Sequence, residues 1–188
     1  MSFEREGFRI YVASLSDYNA GILHGVWLDF DNFDHITDLW KAVKEMLAAS
    51  PDAKDTGRPA EEWAIHDYEG WLGFSLSEYE DLDTLWDAYT ILSEVLKEYD
   101  AEAVYAYVKF YEGTLDEVDR LFRCGFEDAY VGHYGSEEEF AMELADDTGI
   151  LSGVPEDFLH YFDYSAFARD LFLTDYYMSD SGHVFRTH

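Results

Sequence analysis

Hydrophobic and polar positions along this chain switch between two periods. FRIYVAS (8–14) and HGVWLDF (24–30) alternate apolar and polar side chains and are rich in β-branched and aromatic residues, which predicts two strands. The intervening LSDYNAG is expected to be a loop. Ile36, Leu39, Trp40, Val43 and Leu47 then recur three or four residues apart, predicting a helix that starts near Asn32 or Asp34. SPDAKDTGRP, with two prolines and a glycine, reads as a linker, and EEWAIHD as a third strand.

The longest helical pattern comes next. Leu82, Leu85, Trp86, Tyr89, Leu92, Leu96 and Tyr99 form one apolar face, introduced by a capping box of Ser77 and Glu80. Glu78, Glu80, Asp81, Asp83, Asp87, Glu94 and Glu98 fall mainly off that face. Two further boxes, Thr114 with Glu117 and Ser136 with Glu139, predict helices near 115–124 and 137–147. AYVGHY suggests a short strand, SAFARDLF a helix, and DYYMSDSGHVFR a terminal hairpin turning at Asp180, Ser181 and Gly182. The pattern is that of an α+β protein with short antiparallel sheets and amphipathic helices.

Charge changes what those helices are for. The 188 residues carry 41 Asp and Glu against 12 Lys and Arg, a net charge of -29, while 18% aromatic content separates the chain from disordered acidic tails. The excess is uneven: residues 1–60 carry net -4, 61–102 net -12 and 103–188 net -13. Such a field opposes direct binding to nucleic acid or to an anionic membrane, so the partners should be basic. Twenty-nine charges match about 49 Å of duplex, roughly 14 base pairs, so helix carboxylates could stand where phosphates would in a DNA-binding groove. Composition alone supports a solvated, salt-adapted acidic face as much as mimicry, and it leaves a cation-binding protein as a further alternative.

Catalytic and metal chemistry find little support. With so many acids, some carboxylate pair will stand at glycosidase spacing by chance. Asp29, Asp31 and Asp34 resemble a calcium loop but lack the glycine at its sixth position, and Trp40 stands where the bidentate glutamate belongs. His66 with Glu69 and His160 with Asp163 lack zinc-site spacing, and Gly132 and Gly135 flank His133 and Tyr134 without a nucleotide-binding pattern. No cofactor or metal is therefore expected, and the chain is expected not to be an enzyme. The single Cys124 allows no internal disulfide; it reads as a structural thiol and fits a reducing cytoplasm. The N-terminal MSFEREGFRIYVASL has no leader pattern, and no apolar run approaches the ~18 residues of a membrane span.

Five ordered segments, YVASLSDYNAGILHGVW (11–27), EEWAIHDYEGW (61–71), LSEYEDL (76–82), YVGHYGSEEEFA (130–141) and YFDYSAFARDL (161–171), resemble the ArdA antirestriction proteins. Departures are small: Trp71 stands where Phe is commoner and Phe162 where Ile is. The resemblance implies a DNA mimic encoded by mobile elements that blocks the DNA groove, in the methyltransferase core, of type I restriction-modification enzymes. It also implies an elongated chain of three small domains that dimerises into a curved rod. Boundaries near 60 and 102 coincide with the breaks in charge, giving an N-terminal α+β domain, a mainly helical acidic domain and a C-terminal α+β domain.

On this basis the mimic surface is assigned to Glu78, Glu80, Asp81, Asp83, Asp87, Glu94, Glu98, Asp116, Glu117, Glu137, Glu138, Glu139, Glu143, Asp146 and Asp147. Tyr18, Asn19, Gly21, Gly25 and Trp27 read as a tight turn and core, and His66, Asp67, Tyr68 and Gly70 as a bridge between the first two domains. A homodimer seam needs an apolar surface with few charges. Ala129–Ser136 lacks Asp and Glu, so Phe126, Ala129, Tyr134 and Val184 are the expected seam, with ordinary core packing as the alternative.

Overall fold

A computed structural model describes residues 7–187. The first six residues, which open the stretch read for a leader, lie outside the described residues. The chain is mixed α and β, with two three-stranded antiparallel sheets, and divides into two compact units that part between Phe122 and Arg123. The boundaries expected near 60 and 102 both fall inside the first unit.

In the first unit, β1 (Arg9–Ser14) is the central strand, flanked by β2 (Gly25–Asp29) and β3 (Trp63–Glu69). Ile10 pairs with Leu28 on one side and Tyr68 on the other, and a bulge between Tyr11 and Val12 shifts the β3 register. Ile10, Val12 and Leu28 are buried against Leu39 and Val43 of α2 (Ile36–Ala48), the face its helical spacing foretells. Trp71 closes this core: its ring stands edge-on to Phe8 and Phe30, 5.3 and 5.2 Å between centroids, and its indole N–H donates to the Arg9 carbonyl at 3.2 Å.

Two segments expected to be irregular are helical. LSDYNAG contains α1 (Leu15–Asn19), whose Asp17 amide donates to the Ser14 hydroxyl; Gly21, at φ 76°, lies just beyond it. The supposed linker contains α3 (Pro51–Thr56), with Ser50 as N-cap, Pro51 in its first turn and Gly57 left-handed at its end. The same residues that punctuate loops are also the start and stop signals of a short helix.

The helix expected from the long apolar face past residue 80 is shorter, leaving Leu96 and Tyr99 beyond its end. The Glu80 carboxylate does accept from the Ser77 amide, but the Ser77 hydroxyl accepts from the Tyr79 amide, and α4 (Leu82–Val95) begins four residues beyond the start that box implies, with Asp81 accepting from the Thr84 amide. A separate α5 (Ala101–Tyr111) follows, capped by Asp100, and residue 102 is its second position. Ala103, Val104, Ala106, Tyr107 and Val108 are all buried, so α5 is apolar around most of its girth and lacks the stripe by which helices are recognised. The Thr114–Glu117 box forms as expected and opens a 3₁₀ turn (Leu115–Glu117) leading into α6 (Val118–Arg120) and a π turn (Leu121–Gly125). Cys124, read from the sequence as a structural thiol, is exposed on that π turn.

The second unit begins with the end of this helical run, α7 (Phe126–Ala129), and continues into β4 (Tyr130–His133). β6 (His183–Arg186) is the central strand, between β4 and β5 (Tyr176–Met178). Between β4 and β5 run α8 (Glu137–Thr148), the short α9 (Glu156–Leu159) and α10 (Tyr164–Thr174), with α10 packed on α8. Phe140 of α8 anchors them, edge-on to Phe172 and Tyr176 at 5.5 and 4.7 Å.

Candidate protein-binding surface

The acids chosen for the mimic surface stand in water. Thirteen of the fifteen are exposed; Glu80 and Glu117 are half-buried because each folds back to close its own box. Glu117 also accepts from Arg120 at 2.7 Å, and this bond, with that to the Thr114 amide, holds its carboxyl below the usual carboxylate range. Glu94 pairs with Lys97 in the turn that follows α4. Asp83 accepts from the Trp40 indole at 3.2 Å, and Asp81 caps α4.

Helix α8 is different in kind. Its twelve residues hold six acids, Glu137, Glu138, Glu139, Glu143, Asp146 and Asp147, and no base. At ~1.5 Å of rise per residue it is about 18 Å long, so it carries one negative charge per ~3 Å, close to the ~3.4 Å of a single DNA strand. By the same reckoning α4 carries three acids over fourteen residues, one per ~7 Å. Phe140, Ala141 and Ala145 bury the opposite face of α8. Glu139, Glu143 and Asp147 follow at intervals of four and share one outward row, flanked by Asp146.

The start of α8 favours this charge and its end does not. The Ser136 hydroxyl accepts from the Glu139 amide at 3.1 Å, the Glu139 carboxylate accepts from the Gly135 amide at 2.8 Å, and three glutamates occupy the positive end of the helix dipole. Asp146 and Asp147 sit in the last turn, where the dipole opposes them. Tyr134 donates its hydroxyl to Glu143 at 3.3 Å; burial first, then the charges of Glu143 and Asp147, push the Tyr134 phenol above its ordinary pKa.

The expected seam residues lie elsewhere. Phe126, Ala129 and Val184 are buried within the second unit, where Phe126 stacks on Tyr130 at 5.4 Å and Val184 pairs across from Gly132. Their burial is that of core packing within this unit, the alternative left open by the sequence; of the four, only Tyr134 is half-buried.

The motif residues divide similarly. Gly25 is architectural: a Cβ there would stand 2.4 Å from the Val12 carbonyl oxygen. Trp27, expected in the core, is 40% exposed and lies under the Arg9 guanidinium at 5.2 Å. Tyr18, His66, Asp67 and Tyr68 are exposed as well, the last three along the outer end of β3. Asp17, from the same motif, is the buried acid: its Oδ1 accepts from the Asp52 amide at 2.8 Å, tying α1 to α3. Burial alone would raise its pKa, but the Ser14 and Ser50 hydroxyls, the Asp52 amide and the charge of His24 outweigh that and hold it below the usual carboxylate range. Residue-by-residue choice of acids also passed over Glu127 and Asp128, which are exposed on α7. Their signal was two acids beside the buried Phe126 and Ala129.

Among the described residues, no three His, Cys, Asp or Glu side chains converge as a metal site, and no helix is long and apolar enough to cross a membrane. What the surface offers is a dense, outward array of carboxylates on a folded α+β body, suited to engaging a basic macromolecule. The family model described as Antirestriction protein (ArdA) matches residues 10–185, and the chain belongs to the ArdA antirestriction family. Among curated proteins, none matches the chain.

Proposed function

We propose that this chain acts against restriction by mimicking duplex DNA. Its acidic helices present carboxylates as substitute phosphates to the DNA-binding groove of a type I restriction-modification enzyme and compete with duplex for the methyltransferase core. The observation that carries this reading is α8, whose six exposed acids, with no base among them, together match the axial charge density of one DNA strand. Lys and Arg that grip phosphate also accept carboxylates in charge-assisted hydrogen bonds, so such a row can occupy the same groove. A homodimer would double the length of the array. No bond in the partner is broken: the chain acts by occupancy, in the cytoplasm where restriction enzymes meet incoming DNA.

Competition is the test. In a gel-shift assay, the protein should displace labelled duplex from a type I methyltransferase core, with potency falling as salt rises because screening weakens every carboxylate–cation pair. Undiminished DNA binding at saturating protein would reject the reading. A single carboxylate swap that abolished inhibition would replace distributed mimicry with one specific site, since each exposed pair contributes only ~0–1 kcal/mol.

A further inference from the structure

The outer end of β3 carries aromatic side chains that the acidic array does not use. His66 and Tyr68 are exposed there, and Tyr18, 55% exposed on α1, stands edge-on to the His66 ring at 4.7 Å and 81°. The chain then returns alongside: the Ile65 amide donates to the Glu78 carbonyl at 2.8 Å, which brings Leu76 and Glu78 to the far side of the strand. Together Tyr18, Ile65, His66, Tyr68, Leu76 and Glu78 line an open groove of about 410 Å³ within the first unit. Its lining includes one acidic residue, Glu78, and neither Lys nor Arg.

We infer that this groove seats an arginine side chain of the basic protein partner. The inference rests on the proposed function for its partner's charge, and on the groove for its chemistry. Two ring planes nearly at right angles, a carboxylate beside them and an aliphatic contribution from Ile65 and Leu76 match the three parts of arginine: a flat cation, its donor fork and its methylene stem. Guanidinium is more weakly hydrated than ammonium and stacks on aromatic faces, so arginine fits better than lysine. A phosphate or nucleic-acid occupant is opposed by Glu78 and by the net charge of -29. The groove would thus add a fixed anchoring point to a surface whose other contacts are interchangeable.

The experiment titrates ¹⁵N-labelled full-length protein with the peptide Ac-Gly-Arg-Gly-NH₂, and with the same peptide carrying citrulline, at about 0.15 M salt. Citrulline keeps the planar shape and removes the charge. Amide shifts should centre on Tyr18, His66, Tyr68 and Glu78 and be several-fold weaker with citrulline. Tyr68→Leu and Glu78→Gln should each weaken arginine binding by about 2–5-fold, the range of one exposed cation–π or ion-pair contact, while Asp170→Asn, exposed on α10 and outside the acidic array, leaves it unchanged. Glu78→Gln alters one exposed carboxylate and keeps the test open should Tyr68→Leu unfold. Equal binding of the two peptides, or shifts spread over α8 with none at the groove, would overturn the inference. So would loss of arginine binding in Glu78→Gln with inhibition of the restriction enzyme unchanged. Intact arginine binding together with failure to compete with DNA would instead sink the proposed function and, with it, the partner named here.

Discussion

Replacing Glu143, Asp146 and Asp147 by their amides should make the protein more stable and a weaker inhibitor. Three like-charge contacts at helical spacing vanish in Glu143→Gln, Asp146→Asn, Asp147→Asn: Glu139 with Glu143, Glu143 with Asp146, and Glu143 with Asp147. Each costs about 0.2–0.5 kcal/mol, and each aspartate in the last turn costs a further ~0.3–1 kcal/mol against the helix dipole. Amide and acid differ little in helix propensity, and a side-chain amide at position 143 can still accept from the Tyr134 hydroxyl. The sum is a gain of about 1–3 kcal/mol at low ionic strength, or roughly 2–10 °C in melting temperature for a chain of this length. Thermal unfolding in low salt and in about 0.5 M salt measures it, and the gain should shrink in the second condition, where screening acts over only a few ångströms. Inhibition by the triple variant should fall by up to ~100-fold, with no single swap exceeding about fivefold. A variant less stable than the parent at low salt, or a gain indifferent to salt, would refute the assignment of α8 as a row kept for its charge at the expense of stability.

Other perturbations probe the framework. Asp17→Asn should destabilise the protein by about 1.5–3 kcal/mol at neutral pH, the range of a buried hydrogen bond to a charged group. Because the folded protein holds Asp17 below its usual pKa, its contribution is present above pH ~4 and lost as pH falls through the lowered folded value. Urea titrations across pH 2–7 should therefore show variant and parent converging only at the acid end. Ala129→Asp buries a charge in the second unit and should unfold it, seen as lost near-ultraviolet dichroism; a folded protein with altered sedimentation would return Ala129 to a seam. Asp100→Ala removes the α5 cap and should cost about 0.5–2 kcal/mol by urea unfolding. Cys124 should react with one equivalent of a thiol reagent in the native protein, whereas a thiol that reacts only after unfolding would contradict its exposure.

Where the sequence was legible, one face of an element met the core and the other met water. That holds for β2, α2, α8 and α10, whose periods come from being half-buried. α5 escaped for the opposite reason, since a helix surrounded by protein has no polar face to mark its period. α1 and α3 escaped because Ser14, Ser50, Pro51 and Gly57 carry loop-like chemistry that only the surrounding structure turns into caps. The acidic surface was legible because charge reports exposure almost directly. The seam was not: an uncharged aromatic stretch looks the same whether it meets a second copy or its own core, as Phe126 and Val184 do. Nor could sequence tell that Tyr18, His66 and Tyr68 face outward, since aromatic motif residues are ordinarily core.

Asp81, Asp100 and Asp163 each give a carboxylate to a backbone amide at a helix start, a task that depends on the short reach of aspartate. Beyond Glu139, whose carboxylate closes the box at Gly135, the outward row of α8 asks only for negative charge at roughly the right place, and it already mixes glutamate with aspartate. Homologues should therefore exchange the two acids freely along that row and hold aspartate, or a serine or asparagine in its stead, at the caps. The length of the side chain, rather than its charge, would then tell which acids build the protein and which face its target.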